Sequence, residues 1–160
     1  MSHVNLKRIT SKNWREALNL SVNIEQQKFV SEVTPPVAIA LAKAYIRPDD
    51  RMIEPFGVYH NEKMVGFFNL HYEPDCQKDF WLFHFFIDKG YQRKGFGAAA
   101  IKLLIKHIKD AHPTCHRIHL TVHPENDSGH KFYKKIGFTD DNIFTYGELT
   151  YSLILKRDYK

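Results

Sequence analysis

The 160-residue sequence contains no long apolar run and no low-complexity tract. No window approaches the roughly 18 uninterrupted apolar residues that a membrane-spanning helix needs. Residues 1–10 do not place an apolar stretch behind basic residues, as a signal peptide would. We therefore expect a cytoplasmic protein with no membrane partner.

Cysteine is scarce, and histidine, although frequent, is scattered. Cys76 and Cys115 lie far apart and form neither a Cys-x-x-Cys pair nor a metal-ligand spacing, which predicts free thiols in a reducing compartment. Four histidines are spread over predicted strand, loop and helix: His116, His119, His123 and His130. Because no carboxylate or thiol completes a familiar ligand set, we expect no metal site.

The composition is that of an ordinary soluble domain. Hydrophobic residues make up 43% and charged residues 26% of the chain, close to the average for such domains. The length suits a single domain, 1–160, with its own core. The net charge of +5 favours an anionic partner, but nucleic acid, acidic lipid and a phosphorylated cofactor fit it equally well.

Hydrophobic periodicity predicts a fold of the α/β (α+β) class, a mixed sheet with helices on its faces. Alternation predicts strands at 4–9, 56–59, 64–72, 80–87, 117–122, 138–146 and 148–155. Helical spacing predicts helices at 10–22, capped by Thr10 and Ser11, and at 36–44, 97–112 and 128–136. The resulting order is β-α-α-β-β-β-α-β-α-β-β.

A glycine-containing turn, YQRKGFG, joins the fourth predicted strand to an amphipathic helix. Glycine lets backbone N–H groups approach a ligand closely, and a helix N-terminus carries partial positive charge and unpaired donors, so an anion fits there. No Lys-Ser/Thr pair follows the glycines, and Ala100 replaces the last glycine of G-x-G-x-x-G. Neither an ATPase nor a dinucleotide enzyme is favoured.

The pattern Gln92-x-x-Gly95-x-Gly97-Ala98, with the strands before it and TVHPENDSGHKFYKKIGF after it, resembles the GNAT superfamily of acetyl-CoA-dependent N-acyltransferases over essentially the whole chain. The resemblance implies a bulged fourth strand that splays from the fifth. It also implies that the turn holds the coenzyme A pyrophosphate and that the pantetheine arm runs along the fourth strand. The candidate cofactor-binding residues are Phe85, Phe86, Ile87, Gln92, Arg93, Lys94, Gly95, Phe96, Gly97, Ala98, Asn126 and Lys135.

Acetyl transfer to an amine requires an uncharged nucleophile and a protonated leaving thiolate. The resemblance implies that Tyr133 is the general acid, although a packing aromatic would look the same. Many family members carry a Glu base on the fourth strand, but here no carboxylate precedes Asp88. His84 has a suitable titration range and is our candidate base, while water, Glu25 or Glu73 remain open.

The segments NWREALNL and EQQKFV are similar to bacterial spermine/spermidine (diamine) acetyltransferases. Anionic and aromatic groups suit a polyamine, and the candidate substrate-binding residues are Trp14, Glu25, Glu73 and Trp81. We expect a small-molecule amine acceptor; another small amine or a protein amino group is the alternative. Homodimers are frequent in the family.

Two non-enzymatic readings remain. One is a non-catalytic acyl-CoA-binding module, against which the intact Tyr133, Asn126 and glycine turn argue. The other is a nucleic-acid binder using the lysine-rich helix 101–109, which has no aromatic platform or recognised motif. We therefore expect no nucleic-acid partner.

Overall fold

The computed structural model describes residues 3–156 and contains a seven-stranded mixed sheet flanked by helices. The strands are β1 (Val4–Arg8), β2 (Met52–His60), β3 (Lys63–Tyr72), β4 (Asp79–Ile87), β5 (Arg117–Val122), β6 (Thr139–Thr145) and β7 (Glu148–Ile154). The helices are α1 (Trp14–Leu18), α2 (Gln27–Val30), α3 (Pro36–Ile46), α4 (Phe96–Ala111) and α5 (Asp127–Ile136). Among residues 3–156, no helix has the length and apolar character needed to cross a bilayer.

The strand order is β1-β2-β3-β4-β5-β7-β6. Strands β1 to β4 form an antiparallel meander, and the β2–β3 turn uses Asn61 and Glu62, both at positive φ. Helix α4 then crosses over one face so that β5 lies parallel to β4. The predicted order of strands and the mixed character of the sheet are confirmed.

Hydrophobic alternation along the strands gives the sheet two buried faces. On one face, α4 packs Ile101, Leu104 and Ile108 into the larger core. On the other face, α1 and α3 cover a smaller core that contains Phe67 and Phe86. The helix contacts on both faces hold β4 in the middle of the molecule.

The predicted helix 10–22 is wrong in extent. Helix α1 ends at Leu18, and Asn13 precedes it, with its Oδ1 accepting from Thr10 N at 2.7 Å. The chain then leaves the helical path because Ser21 N donates to Asp88 Oδ2 at 2.9 Å and Ser21 O accepts from Lys89 N. The short 3₁₀ turn Ile24–Gln26 and α2 follow; their polar sequence lacks a helical period and was not predicted.

Strand β4 carries a bulge and parts from β5. Phe67 lies opposite Phe86 and Asn69 opposite Phe83, so β4 has one more residue than β3 in this interval. His84, within the bulge, has φ 55°. In the described chain, β4 pairs with β5 only over the four residues from Asp79 to Leu82, and the second half of β4 lines a gap. Both features implied by the family resemblance are therefore present.

Candidate active site

Two clefts meet where β4 parts from β5. The glycine-turn cleft, about 720 Å³, is bounded by the end of β4, residues 91–93 and 95–98, and the start of α5. The bulge cleft, about 510 Å³, is bounded by α2, α3, the bulge of β4 and strand β5. Five residues line both clefts: Phe29, Val30, Phe85, Asn126 and Tyr133. A ligand in one cleft can therefore meet a ligand in the other beside Tyr133.

The N-terminus of α4 presents unpaired backbone donors to the glycine-turn cleft. Gly95 caps the helix in the left-handed conformation, φ 84°, and its carbonyl accepts from Ala99 N at 3.1 Å. The N–H groups of Phe96, Gly97 and Ala98 precede this first helical bond and have no partner within the helix. All three residues line the cleft, which suits an anion such as a pyrophosphate.

The two glycines of the turn serve different needs. A Cβ on Gly95 would meet no atom within 4 Å, so glycine is favoured there by its positive φ. A Cβ on Gly97 would lie 3.2 Å from Phe132 Cζ, which is tighter than ordinary packing. Gly97 therefore lets the start of α4 approach α5, and the turn is closed by helix packing as well as by its own conformation.

The side chain of Gln92 hydrogen-bonds the turn to two other segments of the chain. Its Nε2 donates to Ile87 O at 2.9 Å and to Gln26 Oε1 at 3.0 Å, while Gln26 Nε2 donates to Gln92 Oε1 at 3.1 Å. These bonds join the turn to the end of β4 and to the 3₁₀ turn before α2. The side chain of Gln92 thus holds the shape of the cleft, and only its backbone is left to face a ligand.

Helix α5 positions Asn126 and Tyr133 at the junction of the clefts. Asn126 Oδ1 accepts from Gly129 N at 3.0 Å and from Ser128 Oγ at 3.2 Å, which confirms its role as a helix cap. The Tyr133 ring packs against Phe85, Phe132 and Phe138. A phenol is already protonated at neutral pH, and burial raises the pKa of Tyr133 further above its ordinary value.

The bulge of β4 places the His84 side chain at the bulge cleft. Its Nδ1 lies 3.0 Å from Val30 O, which can only accept, so Nδ1 carries the proton and Nε2 carries the lone pair. Lys43 Nζ lies 3.5 Å from that Nε2. Burial, and secondarily the charge of Lys43, lower the pKa of His84, so the imidazole is neutral at pH 7.

The bulge cleft contains carboxylates that were not among the predicted site residues. Two of its cations are already paired, Lys28 with Glu125 at 2.5 Å and Arg51 with Glu73 at 3.3 Å. Three carboxylates also line the cleft: Glu32, Asp49 and Glu148. Counted together with the paired Glu125 and Glu73, five carboxylates face three cations, Lys28, Lys43 and Arg51, so the cleft with its ion-pair partners is net negative.

Most of the predicted binding residues line the glycine-turn cleft. Those that line the glycine-turn cleft are Phe85, Phe86, Ile87, Gln92, Arg93, Gly95, Phe96, Gly97, Ala98, Asn126 and also Glu25, which was expected on the acceptor side. Lys94 and Lys135 line neither cleft. Glu73 and Trp81 each contact Arg51, which lines the bulge cleft. Trp14, on α1, lines neither cleft.

The scattered histidines stay apart in the fold. His119 pairs with Asp79 at 2.8 Å on the sheet, and His130 bonds Tyr151 and the carbonyl of His123. No metal-binding group in the described part of the chain contains any of these histidines.

A mixed sheet that opens between parallel strands, beside an anion-binding turn, is the architecture of a transferase that uses an acyl-coenzyme A donor. Residues 18–138 match the family described as "Acetyltransferase (GNAT) family". The chain is 31% identical over 140 residues, 84% of its length, to the "Probable spermine N(1)-acetyltransferase" of Bacillus subtilis subsp. natto strain BEST195, of which 87% is covered. The protein belongs to the GNAT acetyltransferase family, and acetyl-CoA is its co-substrate.

Solved structures share this fold at lower sequence identity. The spermidine N-acetyltransferase from Vibrio cholerae, in complex with CoA and spermine, superposes with a TM-score of 0.71 at 18% identity over 94% of this chain and 95% of its own. The ribosomal-protein-S18-alanine N-acetyltransferase from Escherichia coli gives 0.68 at 17% identity over 99% and 97%. One fold therefore serves enzymes named for different acceptors, and the acceptor must be argued from this chain's own residues.

Proposed function

We propose that the protein transfers the acetyl group of acetyl-CoA to a primary amine of a polyamine or diamine, such as spermidine or spermine, by direct attack of the amine on the thioester. The observation that carries this proposal is the net negative bulge cleft, which joins the glycine-turn cleft at Tyr133. Glu32, Asp49 and Glu148 can receive the several ammonium groups of a polyamine. The names of the Bacillus subtilis relatives support the same acceptor.

The glycine-turn cleft fits the donor. Its unpaired N–H groups at the start of α4 would hold the pyrophosphate, and Arg93 offers a nearby positive charge. The edge of β4 from Phe85 to Ile87, which β5 does not pair, would hold the pantetheine arm through backbone groups. When bound, acetyl-CoA supplies the thioester carbon that the amine attacks.

His84 and Tyr133 are suited to the two proton transfers. The lone pair on His84 Nε2 faces the bulge cleft, so an acceptor amine that replaces Lys43 there can pass its proton to the imidazole. Lys43, once displaced but still nearby, lowers the pKa of that amine by charge repulsion. Tyr133 lines both clefts, and a phenol carries its proton at neutral pH, so Tyr133 can protonate the departing sulfur.

A second acceptor class is favoured by Lys43 itself. Its ammonium contacts the neutral His84 and can pair with an anionic group of the substrate. An amino acid or peptide N-terminus would present an amine and a carboxylate together. This is the alternative that the test of function must separate from a polyamine.

The test is release of free thiol from acetyl-CoA across spermine, spermidine, a short diamine, free amino acids and a peptide with a free N-terminus. We expect kcat/KM to be highest for the polyamines. The double variant Glu32→Gln, Glu148→Gln should raise KM for polyamines more than for a monoamine, because fewer carboxylates remain. A preference for amino acids would reject the polyamine, and no thiol release with any amine despite acetyl-CoA binding would reject the enzyme.

A further inference from the structure

A polar cluster lies at the end of α4 opposite the glycine turn. It consists of Glu54 on β2, His107 in the last turns of α4, and His112 just after that helix. His107 is 11 residues beyond Phe96, which places it about 16 Å along the helix from the turn. The cluster is therefore separate from both clefts, and none of its residues lines either of them.

We propose that Glu54, His107 and His112 bind a divalent transition-metal ion of the zinc type. One ligand atom from each residue lies within 4.8 Å of the other two. Ligands bound to zinc at 2.0–2.1 Å in a tetrahedron are about 3.4 Å apart, so the three ligand atoms need to close by up to about 1.4 Å. Two imidazoles and one carboxylate suit zinc, cobalt or nickel better than magnesium or calcium, which prefer oxygen ligands.

Unused polar atoms support the proposal. Glu54 Oε2 and His107 Nε2 are buried, and neither has a hydrogen-bond partner. Buried polar atoms nearly always have such a partner, so His107 Nε2 is available to a bound ion, whereas Glu54 Oε2 contacts Arg8 without hydrogen-bond geometry. A metal ion would satisfy both atoms at once.

Neighbouring groups orient the other ligand atoms. Tyr72 OH donates to Glu54 Oε1 at 2.5 Å, which leaves Oε2 as the atom directed at the histidines. His112 Nδ1 lies 2.9 Å from Gln77 Oε1, so Nδ1 is the donor and Nε2 keeps its lone pair. Such outer hydrogen bonds commonly orient metal ligands.

Arg8 would compete with the metal ion for the Glu54 carboxylate. Its Nη1 lies 2.8 Å from Glu54 Oε2 in ion-pair contact, although the contact does not have hydrogen-bond geometry. The Arg8 side chain is 54% exposed and also lies over the Phe56 ring, so it can move to solvent when a metal ion takes the carboxylate. Removing the Arg8 charge should therefore strengthen metal binding, an effect that a purely structural polar cluster does not predict.

The experiment uses tag-free, metal-stripped full-length protein with Cys76→Ser, which removes the exposed thiol. Zn²⁺ is titrated by calorimetry, and Co²⁺ is titrated by its visible absorption, which is intense in a tetrahedral site. We expect one ion per chain. His107→Phe should weaken binding at least tenfold, Arg8→Met should strengthen it several-fold, and His119→Phe, on the other side of the sheet, should leave it unchanged.

The proposal is overturned if the parent protein binds neither ion at one per chain, or if His107→Phe binds as tightly as the parent. It is also overturned if Arg8→Met weakens binding. Should His107→Phe not fold, His112→Gln gives the same test, since it removes a ligand from outside the helix. All these measurements are independent of acetyl transfer, so their failure would leave the proposed function untouched.

Discussion

The two clefts are built from different parts of the chain. The walls of the glycine-turn cleft come from several segments, but its ligand-facing donors are backbone groups of consecutive residues at the start of α4. The bulge cleft is formed by side chains from α2, α3, β4, β5 and the β6–β7 turn, brought together only by the fold. A donor site made by local backbone can be recognised in a short motif, whereas an acceptor site made by distant side chains cannot.

Tyr133 belongs to both clefts and should give the largest effect on turnover. We expect Tyr133→Phe to lower kcat by about 100-fold, because the phenol proton is lost while the ring keeps its packing against Phe85 and Phe138. The acetyl-CoA dissociation constant should stay within about twofold. Steady-state kinetics and calorimetry measure the two quantities, with Tyr146→Phe, in the bulge cleft alone, as the matched control. Loss of acetyl-CoA binding instead would make Tyr133 a structural residue.

Substitution of Gly95 tests whether the glycine-turn cleft depends on backbone conformation. Gly95 and Gly147 both have positive φ, 84° and 79°, and a Cβ on either would meet nothing within 4 Å. Each change to alanine should cost about 1 kcal/mol of unfolding free energy, because alanine is strained in that region. Only Gly95→Ala should also weaken acetyl-CoA binding, by about tenfold. Equal acetyl-CoA affinity in the two variants would reject the backbone site.

Substitution of Lys43 tests whether the bulge cleft depends on the charge of its side chains. Its charge helps to lower the pKa of His84, so Lys43→Met should raise that pKa toward its ordinary value. If His84 is the base, the acidic limb of the profile of kcat/KM against pH should shift to higher pH. Lys43→Arg keeps the charge and serves as the control. An unchanged limb in Lys43→Met would point to water or another group as the base.

His71, which lines the bulge cleft, should make the stability of the folded protein sensitive to acid. Burial, with smaller contributions from nearby His84, Arg51 and Lys43, lowers the pKa of His71 from 6.5 to about 3. Between these values the unfolded chain binds a proton that the folded chain does not, so stability falls as pH decreases from 6.5 toward 3. The slope is at most about 1.4 kcal/mol per pH unit for this group.

The variant His71→Phe keeps the aromatic contact with Phe83 and removes the titrating group. Urea unfolding between pH 6.5 and pH 4 should therefore show a shallower loss of stability than in the parent. His60→Phe, at the opposite end of the meander, is the control. A parallel pH dependence in His71→Phe and the parent would mean that His71 is already accessible to protons.

Much of the fold was predictable because its signals are local. Strand β5 was predicted with its observed bounds, and α4 differs by one residue at each end, since both elements have clear hydrophobic periods. The helix 10–22 was predicted wrongly because it ends through a tertiary contact, Ser21 with Asp88, which no local pattern reports. Tertiary contacts override local propensity in the same way elsewhere.

The site residues also divide into those set by local sequence, which were predictable, and those brought together only by the fold. Gly95, Gly97 and Asn126 lie where the motif placed them, because turn and cap geometry is encoded within a few residues. The carboxylates of the bulge cleft, such as Asp49 and Glu148, lie about a hundred positions apart in sequence and carry no shared spacing. Glu54 and His107 are likewise joined only by the packing of α4 on β2.

The short pairing between β4 and β5 has a mechanical consequence. Four strands and three strands meet along a seam of four residue pairs, so the sheet consists of two blocks with few hydrogen bonds between them. A ligand that fills the glycine-turn cleft contacts both the open edge of β4 and the start of α5, so it bridges the two blocks beyond this seam. The substrate-loaded protein should therefore resist pulling and proteolysis across the seam better than the free one, and amide hydrogen exchange should slow first at residues 83–87.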